Sequence, residues 1–211
     1  MTITYDLRES LEVVTIFPGE HHATRERRTI ATTLGSCVSV VLHDVHTHIT
    51  GINHFMLPGT FGTTPFYLTD AGRYGMYAIE LLINEILRIG GRRDAFRAKV
   101  FGGATSPLWS QRASESVGAE NVRFAMAYLE AESIPLIASD VGGSSARRIA
   151  VSTTDGSVRL WRRSVAAASV GVREQEYRHR ITSATQKRGH RSATLFGERG
   201  GTDETRQGDY T

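Results

Sequence analysis

The stretch TTLGSCVSVVLHD (Thr32–Asp44), together with the run GINHFMLP (Gly51–Pro58) that follows it, decides how this chain folds. Both runs are rich in β-branched and aromatic residues, which favour strands. Because only a short link around His46 separates them, the two strands are predicted to pair antiparallel. Pairing of this kind can place Cys37, the single cysteine of the chain, near His54.

Outward from this pair, the apolar pattern predicts further strands and two helices. The additional strand-like runs are LEVVTIF (11–17), RTIATTL (28–34), AKVFGGA (98–104) and IPLIASD (134–140). A hairpin is predicted over RRIAVSTTDGSVRLW (147–161), where Asp155-Gly156 is a strong two-residue turn signal. Apolar residues recur at helical spacing from Tyr74 to Ile89 and from Val122 to Leu129. The folded part is therefore predicted to be one α+β domain.

Composition bounds the kind of protein that this chain can be. Hydrophobic residues make up 40% of its 211 residues, enough for a sizeable core. A formal net charge of +3 is too small to indicate nucleic-acid binding by itself. No run approaches the ~20 apolar residues needed to cross a bilayer, and residues 1–10 lack the apolar core of a signal peptide. We therefore expect a cytoplasmic protein that neither binds nucleic acid nor inserts into the membrane.

A change in composition divides the chain. The segment from Arg173 to Thr211 mixes charges of both signs with Gly, Ser, Thr and Gln and holds few apolar residues. Such a segment buries too little apolar surface to offset the entropy of ordering, so disorder is predicted. The predicted organisation is one domain over residues 1–165, followed by a linker and a disordered charged tail over residues 166–211.

Cys37 has two interpretations. A cysteine within a β-rich run is most often a small buried hydrophobic residue. Two features favour a nucleophile instead: Gly35 and Ser36 interrupt the strand just before Cys37, and His54 is a polar ring in an apolar stretch. An imidazolium beside a thiolate is the usual means of making a thiol nucleophilic near neutral pH.

The histidines offer a competing site. His43, His46 and His48 form an HxxHxH cluster, and His21 and His22 lie upstream. The cluster falls in a predicted turn and lacks carboxylate or cysteine partners at metal-ligand spacing. Solvated turn histidines are therefore the favoured interpretation, and neither a metal nor another cofactor is expected.

At LGSCVSVVLHD (34–44) and GINHFMLP (51–58) the chain resembles the chemoreceptor glutamine deamidase family, CheD, in which an LGSCV-type cysteine precedes a histidine within an HxMLP-type strand. Cys37 and His54 occupy these two positions. The resemblance continues in order through YAIELLINEILRIGGRR, AKVFGGA, ENVRFAMAYLEAESIPLIASDVGG and ARRIAVSTTDGSV. It thus spans about Leu11 to Trp161.

The resemblance implies an α+β fold of layered β-sheets flanked by helices, shared with bacterial toxin deamidases and carrying papain-like chemistry. It implies that Cys37 attacks particular glutamine side chains on the cytoplasmic helical bundle of chemoreceptors and, with His54 as acid and base, converts them to glutamate in chemotaxis adaptation. Backbone donors near Ser36 and Cys37 are candidates for stabilising the oxyanion. The family also implies a CheC-type phosphatase as a partner, and it implies no cofactor.

The third catalytic position is where this chain departs from the family. Many members have T-x-G-L-G-S-C, whereas this chain has T-T-L-G-S-C, one residue shorter, so that without a gap Ala31 falls on the threonine position. A one-residue slip in a strand reverses the face of the side chain. We favour Thr32 as the residue that orients His54, with Thr33 as the alternative. The competing interpretation is that both threonines are ordinary strand residues.

Two other functions stay open on the sequence. One is a catalytically weak binding module that regulates a CheC-type phosphatase or a receptor array. The other is a small-molecule amidase or thioesterase that uses the same pair of side chains. The presence of both Cys37 and His54 favours an active enzyme.

Asp140 and Arg147 also match a family pattern, and we interpret them as a structural pair.

Overall fold

The computed structural model describes residues 1–6, 10–59, 64–105, 116–164 and 170–189. These residues contain ten strands and three α-helices. The strands are β1 (Thr2–Asp6), β2 (Leu11–Thr15), β3 (His21–Thr24), β4 (Thr29–Leu34), β5 (Val38–Asp44), β6 (Thr50–Asn53), β7 (Phe96–Gly102), β8 (Leu136–Val141), β9 (Ser145–Ser152) and β10 (Val158–Ser164). The helices are α1 (Asp70–Arg88), α2 (Val117–Ala131) and α3 (Val170–Gly189).

The strands form two five-stranded mixed sheets. The first sheet has the order β1-β2-β4-β9-β10, and the second, which we call the central sheet, has the order β3-β6-β5-β7-β8. One pair in each sheet is parallel, β2 with β4 and β7 with β8, and the other pairs are antiparallel. The predicted antiparallel pairing of the Cys37 and His54 runs is confirmed as β5 with β6.

The middle strands β5 and β6 of the central sheet are buried on both faces. Along β5, Val38, Val40 and Leu42 pack into a hydrophobic cluster with α1 and α2, whereas Val41 packs into a second cluster with the first sheet. This alternation follows from the period of two along a strand, which sends successive side chains to opposite faces. The predicted α+β fold of layered sheets flanked by helices is therefore confirmed.

A capping hydroxyl determines where each of the two predicted helices begins. Thr69 caps α1 by accepting a hydrogen bond from the N–H of Gly72 at 3.0 Å, and Ser116 caps α2 by accepting one from Ala119 at 3.1 Å. Each hydroxyl satisfies a backbone donor that the first helical turn leaves unpaired. Both helices consequently begin a few residues before their apolar periodicity.

The predicted hairpin forms β9 and β10, with a longer turn than expected. Val158 pairs with Val151 and Leu160 with Ile149, which is the register that the sequence indicates. The turn contains Gly156 at φ +67°, but it is closed by Ser152 rather than by the residues next to Asp155-Gly156, since the Ser152 N–H donates to the Ser157 carbonyl at 2.9 Å.

Helix α3 differs from the prediction of a linker and disordered tail. Three of its side chains, Glu174, Tyr177 and Ile181, are buried at the spacing i, i+3, i+7. Contacts with the domain thus order a segment whose average composition is polar. The predicted boundary at residue 165 and residues 190–211 lie outside the described residues, so the domain division stays a prediction. Within the described ranges, no helix combines the length and apolar character that crossing a bilayer requires.

Arg147, on β9 of the first sheet, reaches into the central sheet. Its buried guanidinium donates to the carbonyl of Gly102 at 2.9 Å and also to those of Asp140 and Gly142. It lies 3.1 Å from the Asp140 carboxylate, so the two residues interpreted as a structural pair do form one. The same side chain therefore ties β9 to the ends of β7 and β8.

Candidate active site

Cys37 lies in a sharp turn, Gly35–Cys37, which we call the cysteine turn. Here the chain passes from β4 in the first sheet to β5 in the central sheet. Backbone hydrogen bonds fix this turn on one side: the N–H of Gly103 donates to the Cys37 carbonyl, and that of Ala104 to the Gly35 carbonyl, each at 2.7 Å. The Asn121 side chain on α2 donates to the Ser36 carbonyl at 2.8 Å. The turn is thus held rigidly by two neighbouring elements.

A glycine at position 102 lets the end of β7 lie close to the Cys37 backbone. Its φ of +112° is in a region that only glycine adopts readily, and a Cβ at this position would lie 2.2 Å from the Cys37 carbonyl oxygen. The glycines of the AKVFGGA motif therefore shape the backbone against which the cysteine turn packs.

His54 follows directly after β6 and lies on the same face of the central sheet as Cys37. The Val38 and Phe55 backbones exchange two hydrogen bonds of 2.9 Å, which continues the register of the β5–β6 pair beyond its end. Because this pairing places Cys37 and His54 diagonally across the ladder, their reactive atoms lie within 4.8 Å of one another. The structure therefore brings together the two side chains that the sequence predicted to be close.

Thr32 fixes the orientation of the imidazole. Its hydroxyl donates to the Ile16 carbonyl at 2.8 Å and lies 2.8 Å from His54 Nδ1. Since the hydroxyl hydrogen is directed at the carbonyl, Nδ1 must carry the ring proton and donate it to Thr32. His54 Nε2 is left as the proton acceptor, and within the described residues this buried atom has no hydrogen-bond partner.

The alternative threonine lies on the other face of β4. The pairing of β4 with β9 runs without a shift from Thr29 to Leu34, so no bulge absorbs the shortened spacing. Thr33 and Ala31 therefore point away from Thr32. Of these three residues, Thr32 is the one that the structure brings to His54.

Glu174 is a site residue that the sequence reasoning missed. From α3, its carboxylate accepts hydrogen bonds from the N–H groups of Gly35 at 2.8 Å, Ser36 at 2.9 Å and Cys37 at 3.2 Å, and from Ser36 Oγ at 2.8 Å. Successive backbone N–H groups that converge in this way form an anion-binding nest. The sequence feature that could have revealed it is the i, i+3, i+7 spacing of Glu174, Tyr177 and Ile181 in an otherwise polar segment.

The electrostatic state of the site follows from burial and from this carboxylate. Burial, followed by the charge of Glu174 and its hydrogen bond to the thiol, raises the pKa of Cys37 well above its ordinary value. Burial lowers the pKa of His54 to about 4, against the opposing effect of the Glu174 and Glu20 charges. With α3 in place, both pKa shifts favour the neutral thiol and the neutral imidazole over a thiolate–imidazolium pair.

The same three side chains form a group whose ligand atoms could hold a metal ion, since those of Cys37, His54 and Glu174 lie within 4.8 Å of one another. Both oxygens of Glu174 already accept hydrogen bonds from backbone N–H groups.

The histidines of the HxxHxH cluster do not form a metal site among the described residues. His43 Nδ1 lies 2.8 Å from Thr50 Oγ1, and no group of possible metal ligands in that part of the chain includes these histidines.

Comparison with known proteins identifies relatives of this chain. A family model described as "CheD chemotactic sensory transduction" matches residues 56–162. The "Probable chemoreceptor glutamine deamidase CheD 1" of Shewanella oneidensis is 40% identical over 178 residues, which cover 84% of this chain and 85% of that protein. Its namesake from Geobacter sulfurreducens is 43% identical over 156 residues, covering 71% and 77%. The hypothetical protein YfiH of Bacillus licheniformis is 14% identical over 58% of this chain and 51% of its own, with a TM-score of 0.37, too weak a likeness to carry an argument. On the family model and these relatives, the chain belongs to the CheD family.

Proposed function

We propose that this chain is a chemoreceptor glutamine deamidase, which hydrolyses the side-chain amide of particular glutamines to glutamate. The observation that carries the proposal is a carboxylate, that of Glu174, held by three backbone N–H groups beside a thiol and an imidazole. Backbone N–H groups that bind a carboxylate in this position can also stabilise the tetrahedral oxyanion that forms when the thiol attacks an amide.

Cys37 is the nucleophile in this proposal. Its sulfur attacks the carboxamide carbon of the glutamine, and the thiol proton passes to His54 Nε2, which the hydrogen bond to Thr32 leaves unprotonated. The developing oxyanion enters the nest formed by the N–H groups of Gly35, Ser36 and Cys37, where Glu174 lies in this structure.

His54 then acts as the acid. It returns its proton to the amide nitrogen, the carbon–nitrogen bond breaks, ammonia leaves and a thioester to Cys37 remains. Water, deprotonated by His54, hydrolyses the thioester to glutamate and regenerates the thiol. Thr32 takes part by holding the ring through Nδ1, so that Nε2 faces the reacting atoms in both steps.

A glutamine in the nest favours this chemistry in a way that Glu174 does not. The Glu174 charge and its hydrogen bond both raise the pKa of Cys37. A neutral carboxamide in the same place carries no charge that opposes the thiolate. Burial, the largest cause of the raised pKa of Cys37, stays when substrate replaces α3, but the part of the rise that Glu174 causes is removed, and this favours the nucleophile.

The proposed substrate is the cytoplasmic helical bundle of a chemoreceptor, which also places the enzyme in the cytoplasm. A CheC-type phosphatase is a further partner expected from the family resemblance. Co-elution of the two purified proteins on size exclusion would support that partnership, and independent elution at micromolar concentration would count against it.

The test is mass analysis of a chemoreceptor cytoplasmic fragment after incubation with the full chain. Each converted glutamine gains about one dalton, because an amide nitrogen is replaced by oxygen and none is transferred elsewhere. Cys37→Ala is the matched control and should give no gain. Small glutamine amides assayed alongside address the amidase alternative: their conversion without conversion of the fragment would overturn the proposal.

A further inference from the structure

Helix α3 inserts a glutamate side chain into the centre of the candidate active site. Glu174 is buried, and within the described residues its carboxylate accepts hydrogen bonds from the cysteine turn. A glutamate carboxylate is also the group that hydrolysis of a glutamine leaves behind. The protein therefore holds, within its own chain, the chemical product of the proposed reaction at the reaction centre.

The rest of α3 is seated by two further buried side chains. Tyr177 and Ile181 join the hydrophobic cluster between the two sheets, and the Tyr177 hydroxyl lies 2.5 Å from that of Tyr74 on α1. At the rim, the Arg173 guanidinium lies 5.4 Å from the centre of the Phe17 ring. The groove under α3 thus offers a polar nest for one carboxyl-like group and an apolar seat for side chains three and seven residues later.

We infer that the groove under α3 is the docking site for a substrate helix that presents one glutamine, and that α3 occupies it in cis as a mimic of the deamidated product. The inference rests on the proposed function and specifies how its substrate is read. The ligand it predicts is an amphipathic helix with glutamine at i, an aromatic residue at i+3 and an aliphatic residue at i+7.

The positions of the hydrogen bonds distinguish a product mimic from a catalytic carboxylate. A carboxylate that orients a catalytic histidine contacts the ring nitrogen remote from the nucleophile. In this site Thr32 contacts that atom, Nδ1 of His54. Glu174 instead engages the N–H groups that an oxyanion would need, so it takes the place of the substrate.

The seating of α3 is limited to one narrow stripe. Apart from Glu174, Tyr177, Ile181 and the half-buried Thr182, the side chains described between residues 172 and 184 are exposed. The contacts described for α3 lie along this one stripe, so another helix that makes the same contacts can replace it. The full chain is therefore autoinhibited until a substrate helix competes for the groove.

The decisive experiment converts the mimic into a substrate. In full-length Glu174→Gln, the carboxamide of residue 174 lies where a substrate carboxamide would. Cys37 should attack it, release ammonia and, after hydrolysis by water, restore glutamate. Peptide mass analysis of the purified variant should show a gain of about one dalton at residue 174, as amide hydrolysis requires.

Three controls accompany this measurement. Glu174→Gln combined with Cys37→Ala should keep the amide. Glu176→Gln, at an exposed position of the same helix, and the native Gln175 beside it should also stay unconverted. Conversion at residue 174 alone, dependent on Cys37, is the expected result. If the Glu174→Gln protein converts the receptor fragment but keeps its own carboxamide at residue 174, the inference is overturned.

A second measurement tests the autoinhibition. Glu174→Ala should raise the rate of conversion of the receptor fragment by about tenfold, because the fraction of open groove limits the apparent affinity for a competing helix. Glu176→Ala should leave that rate unchanged. A fall in rate with Glu174→Ala, the variant being folded by thermal unfolding, would contradict the inference. Failure of the wild type, Glu174→Ala and Glu174→Gln alike to convert any glutamine would instead refute the proposed function.

Discussion

Thr32 illustrates how a single hydroxyl determines the state of the candidate active site. Because it donates to the Ile16 carbonyl, it can only accept from His54, and this selects the tautomer that leaves Nε2 free to take a proton. The neighbouring Thr33, on the opposite face of the same strand, has no such role. The two threonines therefore form a natural pair of test and control positions.

We expect Thr32→Ala to lower kcat for the receptor fragment by roughly tenfold, since it removes one orienting hydrogen bond of ~1–1.5 kcal/mol. Thr32→Ser keeps the hydroxyl and should recover most of the rate. Thr33→Ala should be nearly silent. Steady-state kinetics on the three variants checks this, and a silent Thr32→Ala with a sensitive Thr33→Ala would contradict the assignment of Thr32.

The residues of the site differ in how far the sequence could reveal them. Cys37 and His54 lie on two runs joined by a short link, so strand pairing makes their proximity predictable. Thr32 lies in the other sheet, and its role was expected only from the family resemblance. Glu174 contacts Cys37 across 137 positions, and Asn121 contacts Ser36 across 85. Nothing local in the sequence fixes such distant contacts, because they depend on how separate elements pack.

At the scale of elements, α3 controls access to the thiol. Cys37 is fully buried, and Glu174 covers it only while Ile181 and Tyr177 keep the helix seated. Ile181→Ala removes apolar surface from this seat without touching the cysteine turn. Val172, which is 61% exposed on the same helix, offers a matched aliphatic truncation outside the seat.

We therefore expect Ile181→Ala to speed alkylation of Cys37 by iodoacetamide. A loss of about 2 kcal/mol in docking, at the low end for an aliphatic truncation, increases the undocked population ~30-fold, and the alkylation rate at pH 7 should follow. Val172→Ala should react like the wild type. Equal alkylation rates for all three proteins, measured by intact mass over time, would show that α3 does not shield the thiol.

The elements themselves were predictable where pattern and packing agree. Most strands are short apolar runs rich in β-branched residues, and both predicted helices bury one apolar face, so the sequence pattern indicates their structure. Helix α3 escaped prediction because three buried positions in a polar segment leave the composition that of a disordered chain. The short strands β1 and β3 escaped prediction for different reasons. Strand β1 pairs with the adjacent β2 but is almost wholly exposed, and β3 has mixed residues and pairs with the more distant β6.

At the scale of the whole molecule, buried histidines couple stability to pH. Burial is the leading cause that lowers the pKa of His54, His22 and His43, and the pKa of His54 reaches about 4 against an ordinary value of 6.5. Between these two values the unfolded chain binds protons that the folded chain does not. The stability that the neutral histidines contribute is therefore complete above pH 6.5 and is lost as the pH falls toward 4.

We expect the free energy of unfolding, measured by urea titration, to decrease from pH 7 to pH 4.5, with up to about 3 kcal/mol of the loss due to His54. His54→Asn should show a smaller decrease, whereas the exposed His46→Asn should keep that of the wild type. A decrease in His54→Asn as large as in the wild type would mean that the fold does not lower the pKa of His54.

Arg147 has a consequence for how the molecule opens. Its guanidinium joins β9 to Gly102, and Gly102 pairs with Val38, the residue that follows Cys37. Separating the sheets here would break the hydrogen bonds of this guanidinium to the carbonyls of Gly102, Asp140 and Gly142 together. We therefore expect the two sheets to separate at this end only in global unfolding. The amides of Gly102 and Val38 should then be among the slowest to exchange with deuterium. We expect the cysteine turn to unfold with the last part of the molecule and α3, the helix that covers it, to detach first.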